Sequence, residues 1–355
     1  MRQPVAFLVH PRTHVARDLG MLVAAPLARI PDHVYERAFA ALPLPPLVVG
    51  EWRYADAPGD VAGWLINVPL TPRQLLGAPR ALVQARLERA VDKARRLGAR
   101  LVGLGALTAP ASRGGATLLR RGVGITTGNA FTAAVTLQAA LHLLDTCPPH
   151  ATVALVGATG SVGSCLTHLL APRHGGPLLL VGRRQGRLDA LARSALAHGA
   201  HVSASTQMGD VRRADLVVLL TSAADALLGS EHLKPGATVL DDTQPRNTDP
   251  ALRTARPDVR IVDGGLVEVP GMRLRGDIGL PRGLAYACLA ETMLLGLGGH
   301  LGHFAVGSPT PEQAEAALAL ARAHAALGFG LAPLHSFGEP LPECAAAVPR
   351  ALEPA

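Results

Sequence analysis

The sequence predicts an α/β protein: a Rossmann-type doubly wound parallel sheet domain, plus an N-terminal α/β substrate domain and C-terminal helices. Three observations predict this. Short apolar runs alternate with helical stretches through the middle of the chain, as in a parallel sheet with crossover helices. A glycine-rich turn follows the first of those runs. The length, 355 residues, corresponds to about two domains, and an apolar share of 48% can supply their cores.

The first part of the chain predicts the N-terminal substrate domain, which we assign to residues 1–125. The run VAFLV predicts a strand near the start. From Pro72 to Gly98, apolar residues recur at helical spacing among arginines, which predicts one long amphipathic helix. The run ARLVGLGAL predicts the strand that follows it. A connecting helix is expected over 126–148, because a polar, capping segment precedes an apolar helical run that ends before two prolines.

The rest of the chain predicts three further parts. Residues 149–270 hold the alternating strands and helices of the Rossmann domain, starting with the strand TVALV. Residues 271–335 predict a C-terminal helical segment, because GLAYACLAETMLLGL and PEQAEAALALARAHAAL have helical patterns. Residues 336–355 are rich in proline and alanine and predict a loose tail.

Composition and charge exclude several classes of protein. A net charge of +7 favours acidic partners, but only Lys93 and Lys234 are lysines, which limits Schiff-base chemistry. Aromatic residues make up 3% and the arginines are scattered, so we expect no nucleic-acid binding. The four cysteines form no CxxC pair, so neither a disulfide framework nor a metal site is predicted. Without an evident leader or a long apolar run, a cytoplasmic protein with no transmembrane segment is expected.

The glycine-rich turn predicts a dinucleotide site. It stands between a strand and a helix, where glycines permit a tight turn and the helix amino end can hold a pyrophosphate. The spacing GxxGxxG departs from GxGxxG and is commoner in NADP enzymes. A turn without a ligand is the alternative interpretation. The cofactor-binding residues predicted here are Gly157, Ala158, Thr159, Gly160, Ser161, Val162 and Gly163.

Two further features belong to the same predicted site. Arg183 and Arg184 follow the second strand, where NAD-selective enzymes carry an acid for the ribose, so the cofactor predicted is NADPH. Solvated arginines are the alternative. Thr221 and Ser222 end a later strand of the sheet, where such residues line the nicotinamide crevice; a plain strand-ending turn fits equally well.

Cys288 is the candidate nucleophile. A cysteine among alanine and leucine is most often an inert core residue. Pro281 and Gly283, however, place Cys288 near a helix start, where the helix dipole favours a thiolate. Glu291, three residues later, shares its helical face, and we expect it to bind another group or to help move a proton.

Motifs spread along the chain resemble one family, the cyanobacterial-type long-chain acyl-[acyl-carrier-protein] reductases. The similarity covers most of the chain but is loose in the N-terminal third. The order and spacing of the motifs together are more specific than any single motif. The matching positions are Thr126-Thr127-Gly128-Asn129 with Thr132, Gly157-Ala158-Thr159-Gly160 with Gly163-Ser164, Ala214-Asp215, Asp241 with Pro245 and Asn247, Gly264-Gly265 with Val267-Glu268, Ala287-Cys288 with Ala290-Glu291, and Gly328-Phe329.

The resemblance implies NADPH-dependent reduction of a fatty acyl thioester to an aldehyde, with Cys288 carrying the acyl group. The thioester would come from acyl carrier protein or acyl-CoA, and the N-terminal domain would bind the acyl chain. Thr126, Thr127 and Asn129 are candidate oxyanion donors, or else a simple helix cap. Arginines that could steer an acidic carrier are Arg95-Arg96 with Arg100, and Arg120-Arg121; solvated side chains are the alternative.

Two other functions stay open from the sequence. One is an amino-acid or shikimate-type dehydrogenase, although only Lys93 lies in the N-terminal domain to serve its usual lysine–aspartate pair. The other is a non-catalytic NADP-binding regulator, which would bind NADPH without turnover. The sequence does not fix the oligomeric state or the acyl chain length.

Overall fold

The computed structural model describes residues 2–11, 25–197, 201–223, 225–341 and 352–353. The chain forms two compact units, and each unit is built from three stretches of sequence. Unit 1 comprises residues 1–128, 271–279 and 292–307. Unit 2 comprises residues 129–270, 280–291 and 308–355. The chain therefore returns to unit 1 twice after its first crossing into unit 2.

Strands and helices alternate along the chain. The strands are β1 (Val5–Val9), β2 (Val48–Tyr54), β3 (Gly63–Asn67), β4 (Leu101–Leu104), β5 (Gly124–Thr126), β6 (Val153–Val156), β7 (Pro177–Val181), β8 (His201–Ser205), β9 (Leu216–Leu219), β10 (Thr238–Asp241), β11 (Arg260–Asp263), β12 (Leu266–Glu268), β13 (Met272–Arg275), β14 (Leu284–Tyr286), β15 (Gly330–Leu331), β16 (His335–Ser336) and β17 (Glu339–Pro340). The α-helices are α1 (Asp32–Ala41), α2 (Pro72–Gly77), α3 (Arg80–Arg96), α4 (Thr108–Ala111), α5 (Asn129–Leu144), α6 (Ser161–Leu170), α7 (Gln185–Leu196), α8 (Leu252–Ala255), α9 (Ala287–Leu297) and α10 (Pro311–Ala323).

Unit 1 is built on a mixed sheet with the order β13-β2-β3-β1-β4-β5. β1 runs parallel to β3 and β4, and β4 runs parallel to β5. The edge is antiparallel: β2 pairs with β3, and β13 pairs with β2 with Met272 opposite Tyr54. Unit 1 therefore has the α/β character predicted for the N-terminal part of the chain.

The helix expected from Pro72 to Gly98 is two helices, so the expectation of one continuous helix is wrong. Ala78, which ends α2, is extended, and Pro79 precedes α3. Proline restricts the residue before it to extended conformations and has no N–H to continue a helix. α3 buries Val83, Leu87 and Val91 in the core of unit 1.

Unit 2 contains a six-stranded parallel sheet with the order β11-β10-β9-β6-β7-β8. Counted from β6 as the first strand, this is the 3-2-1-4-5-6 order of a Rossmann sheet, read from the other edge. Its strands bury both faces; the residues of β6, β9 and β10 are all buried. α5 packs against α6 and α10. The predicted doubly wound domain is confirmed.

The C-terminal part differs from the sequence expectation in two places. Residues 271–335, expected to be helical, also contain β13, β14 and β15; β14 and β15 flank β12 in an antiparallel sheet. Residues 336–355, expected to be a loose tail, begin in the β16–β17 hairpin. The N–H groups of Phe337 and Gly338 donate to the Asp263 carboxylate at 3.1 and 2.6 Å, which ties the hairpin to the end of β11. Residues 342–351 lie outside the described part.

None of the described helices is long and apolar enough to cross a membrane. Among the same residues, no group of three or more metal-ligating side chains comes together.

Candidate functional site

The glycine turn has the geometry of a dinucleotide cradle. Gly157 follows β6 with a φ of +90°, which favours glycine, and a Cβ placed there would lie 2.8 Å from the Leu220 carbonyl oxygen. At Gly163, a Cβ would lie 2.4 Å from the Gly157 carbonyl oxygen. Gly160 precedes α6, which begins at Ser161. The backbone thus approaches closely on both sides of the turn, and the amino end of α6 opens where a pyrophosphate would bind.

Three arginines follow β7 at the carboxyl end of the parallel sheet, the end at which the glycine turn follows β6. Arg183, Arg184 and Arg187 are exposed, and within the described residues none of them forms an ion pair. The Thr159 hydroxyl lies 3.4 Å from the position of a Cβ on Gly182, so this part of the glycine turn lies beside the arginines. Sequence reasoning missed Arg187; its place in the first turn of α7, three residues after Arg184, was the signal.

Thr221 is engaged by a neighbouring loop. Its hydroxyl donates to the side-chain oxygen of Asn247, which is fully buried. The Asn247 N–H in turn donates to Asp241 at 3.0 Å. Ser222, by contrast, is exposed. The predicted contact of these residues with a nicotinamide stays a prediction.

Asp241 explains the motif that includes Pro245 and Asn247. Its buried carboxylate accepts hydrogen bonds from the N–H groups of Thr243 and Asn247, and from both the N–H and the hydroxyl of Thr248. Burial raises the pKa of Asp241, and the hydrogen bonds oppose that shift. The aspartate therefore holds the loop after β10 in shape.

Cys288 is the second residue of α9, which begins directly after β14. The thiol is half-buried. The Ala287 N–H donates to the Gly265 carbonyl at 2.8 Å, so the helix start is fixed to the turn before β12. The predicted position near a helix amino end is what the structure shows, and the helix dipole there favours a thiolate.

The other two described cysteines have raised pKa values. Burial raises the pKa of the Cys165 thiol to about 12, with Glu312 and Glu291 adding to the shift. Burial, followed by the charge of Asp215, also raises the pKa of Cys147. Since the thiolate is the reactive form, both are disfavoured. Cys344 lies outside the described residues.

Glu291 and Asn129 connect Cys288 to the glycine turn. Glu291 is fully buried, and its Oε2 accepts the N–H of Phe131 at 2.7 Å, in the first turn of α5. Asn129, the first residue of α5, donates from its side-chain amide to the Ser161 hydroxyl at 2.8 Å. The amino ends of α5, α6 and α9 are therefore linked within unit 2.

Thr126 and Thr127 belong to unit 1, whereas Asn129, Cys288 and Glu291 belong to unit 2. Both threonines are buried. Thr126 ends β5, and the Thr127 hydroxyl donates to the Ala305 carbonyl at 2.6 Å. With its single proton committed there, the Thr127 hydroxyl is an acceptor rather than a donor toward any further group. Oxyanion stabilisation by this cluster stays a prediction.

Of the arginines of unit 1 that could steer an acidic carrier, Arg121 already has acidic partners. Arg121 pairs with Asp92 and lies 3.8 Å from Glu88. Arg95 and Arg96 are exposed at the end of α3 without an ion pair among the described residues. These two are therefore better candidates for meeting an acidic partner than Arg121.

Sequence comparison finds distant relatives, although no family model matches the chain. The chain is 29% identical over 290 residues to the aminotransferase PigE of a Serratia species; the aligned region covers 78% of this chain and 33% of that protein. It is 30% identical over 192 residues to the long-chain acyl-[acyl-carrier-protein] reductase of Synechococcus elongatus, covering 51% of this chain and 54% of that enzyme. The chain thus spans about a third and about half of the length of these relatives.

Solved structures show only limited similarity. Glutamyl-tRNA reductase from Methanopyrus kandleri matches 54% of this chain and 51% of its own, with 21% identity and a TM-score of 0.30. The iminosuccinate reductase of Paracoccus denitrificans, solved with NAD+, matches 32% of this chain and 36% of its own, with 25% identity and a TM-score of 0.28. At these TM-scores, neither structure bears on what the chain does.

Proposed function

We propose that the chain is an NADPH-dependent oxidoreductase that reduces a fatty acyl thioester to an aldehyde through an acyl-cysteine at Cys288. One observation carries the proposal: Cys288 stands at the start of α9 in the unit that holds the glycine turn, and Glu291 and Asn129 connect the two. The similarity to an acyl-[acyl-carrier-protein] reductase over half of the chain supports the substrate class.

The residues of unit 2 fit a bound NADPH. Gly157 and Gly163 allow the tight backbone packing that sets the turn directly before α6, and the amino end of that helix would hold the pyrophosphate. Arg183, Arg184 and Arg187 would bind the 2′-phosphate, since guanidinium groups that have no acidic partner in the described part of the chain suit a dianion. When bound, the cofactor supplies a hydride.

The chain's own chemistry is that of a covalent catalyst. The Cys288 thiolate attacks the thioester carbonyl, and the carrier's thiolate leaves and takes up a proton, which forms the acyl-cysteine. Addition of hydride gives a tetrahedral oxyanion on Cys288. Collapse of that oxyanion breaks the C–S bond, releases the aldehyde and restores the thiolate. The overall reaction consumes one hydride and one proton.

The aminotransferase activity named for PigE is not part of this proposal. The chain spans only a third of that protein. Lys234 is paired with Asp215, which directly precedes β9 and thus lies at the amino end of the sheet, whereas the glycine turn lies at the carboxyl end. Within unit 2, Lys234 is therefore not beside the proposed site.

The test is incubation with NADPH and a panel of acyl-ACP and acyl-CoA thioesters, with detection of aldehyde. Without NADPH, intact-mass spectrometry should show an acyl adduct on Cys288. Cys288→Ser should keep NADPH binding and lose aldehyde formation, because a hydroxyl without a dedicated base is a poor nucleophile. Cys147→Ser is the matched control and should keep both. NADPH binding with neither adduct nor aldehyde would instead support a non-catalytic regulator.

A further inference from the structure

Asp242 is a titratable residue that the reaction described above does not use, and it lies against the Gly264–Gly265 turn, which binds the start of α9. It follows β10 at the carboxyl end of the parallel sheet. Its Oδ2 accepts a hydrogen bond from the Thr136 hydroxyl of α5. Its other oxygen, Oδ1, packs against Gly265: a Cβ there would lie 2.1 Å from it.

The turn on which Asp242 rests is the one that holds the start of α9. The Gly264 N–H donates to the Asp241 carbonyl at 2.8 Å, and Gly265 adopts a φ of +63°. The Gly265 carbonyl accepts the N–H of Ala287, the neighbour of Cys288. Any movement of the Asp242 carboxyl against Gly265 is therefore passed to the backbone that presents the thiol.

A second path leads from Asp242 to the same helix. Thr136 lies on α5, and the first turn of α5 is bound by Glu291 of α9 through the Phe131 N–H. Asp242 thus touches both structures that fix α9, namely the Gly264–Gly265 turn and α5. All of these residues lie in unit 2.

Proton counting indicates which form of Asp242 the site accommodates. The Thr136 hydroxyl lies 2.7 Å from the Thr132 carbonyl and also within hydrogen-bond distance of Asp242 Oδ2. A hydroxyl has one proton and cannot donate to both. When Asp242 is a neutral acid, it donates to Thr136, and Thr136 donates to Thr132, so both contacts are satisfied.

Burial and the neighbouring charge of Asp241 favour the same neutral form. Although Asp242 is only half-buried by surface area, burial of its carboxyl raises the pKa to about 7. The Thr136 hydrogen bond lowers that pKa, and the negative charge of Asp241 raises it. α5 contributes Thr136, the turn contributes two glycines, and Asp241 is the charged neighbour from its own strand.

We propose that Asp242 is a positioning residue for the nucleophile, which as a neutral acid seats the Gly264–Gly265 turn and which lowers the reactivity of Cys288 when it ionises. The ionised form would place a negative charge beside the turn at the start of α9, which disfavours a nearby thiolate. It would also draw the Thr136 proton away from Thr132. A role of Asp242 in turnover rests on the proposed function, but its effect on the reactivity of the Cys288 thiol does not.

The test is the rate at which iodoacetamide alkylates Cys288 between pH 5.5 and about 9, followed by mass spectrometry at the peptide that contains this residue. In the unmodified protein, the rise of the rate with pH should flatten near neutrality. Asp242→Asn keeps the donor and cannot ionise. Its rate should equal that of the unmodified protein at low pH and exceed it about three- to tenfold above neutrality.

Thr136→Val serves as an independent variant if Asp242→Asn does not fold. Because Thr136 contacts the ionisable carboxyl of Asp242, its removal should move the flattening to a different pH, and an unchanged profile would count against the proposal. Asp249→Asn, an exposed aspartate, is the matched control and should leave the profile unchanged. Superimposable profiles for Asp242→Asn and the unmodified protein would overturn the proposal. If the alkylation profiles are as expected but no thioester yields an aldehyde, the proposed function alone is refuted.

Discussion

Removal of the Glu291 carboxylate should open the start of α5. Glu291 is fully buried and accepts the Phe131 N–H at 2.7 Å, at the positive end of a helix of 16 residues. Glu291→Ala leaves that N–H buried without this acceptor. A hydrogen bond to a charged group is worth about 1.5–3 kcal/mol, and we expect a loss at the upper end because the site is fully buried.

Hydrogen–deuterium exchange at the Phe131 amide measures this loss directly. About 3 kcal/mol corresponds to roughly a hundredfold faster exchange. Glu291→Gln keeps an acceptor oxygen but loses the charge near the helix end, so its exchange should rise only about fivefold, the equivalent of about 1 kcal/mol. Glu312→Ala, which removes an exposed acid from the first turn of α10, is the control and should leave α5 unchanged.

Equal exchange in the Ala and Gln variants would show that hydrogen bonding by Glu291 does not hold the helix start. Unchanged exchange in both would refute the assignment of Glu291 as the cap of α5. Both results can be told apart from global unfolding, which would accelerate exchange in β6 and β9 as well.

Two more predictions concern the cofactor. Arg183→Ala with Arg184→Ala should reduce the preference for NADPH over NADH at least tenfold, since one charge-assisted phosphate contact is worth about 1.5–3 kcal/mol; titration with both cofactors measures it. Equal affinities in the unmodified protein would contradict it. Gly163→Ala should weaken NADPH binding about five- to hundredfold, since its Cβ would lie 2.4 Å from a backbone oxygen and overpacking costs about 1–3 kcal/mol. Gly186→Ala, whose Cβ meets nothing within 4 Å, is its control and should bind normally; similar weakening in both would contradict the steric explanation.

The features that the sequence predicts well are those encoded by neighbours in the chain. The glycine turn between β6 and α6, and the place of Cys288 near a helix start, depend on spacing over a few residues. The alternation of apolar runs and helical stretches is likewise local, and it correctly predicted the parallel sheet of unit 2. The proline inside the expected long helix was misjudged at this scale, although the rule for the residue before proline applied to Ala78.

The features that the sequence hides depend on partners far apart in the chain. Asp241 and Asp242 look like an ordinary polar turn after a strand, but hydrogen bonds from the following loop make Asp241 a scaffold, and burial raises the pKa of Asp242. The Thr127 proton is committed to a carbonyl 178 residues later. No periodicity reports such contacts, because tertiary packing selects them.

The β2–β13 pair sets the order in which the chain can fold during synthesis. β2 ends at Tyr54, and its partner Met272 is made more than two hundred residues later. Until then, one side of β2 lacks its neighbouring strand, and an open strand edge invites pairing with other chains. At a synthesis rate of about 5–20 residues per second, that interval lasts at least ten seconds. The nascent protein therefore depends on whatever shields this edge on the ribosome, and a chain that stops before residue 272 would emerge with a permanent template for aggregation.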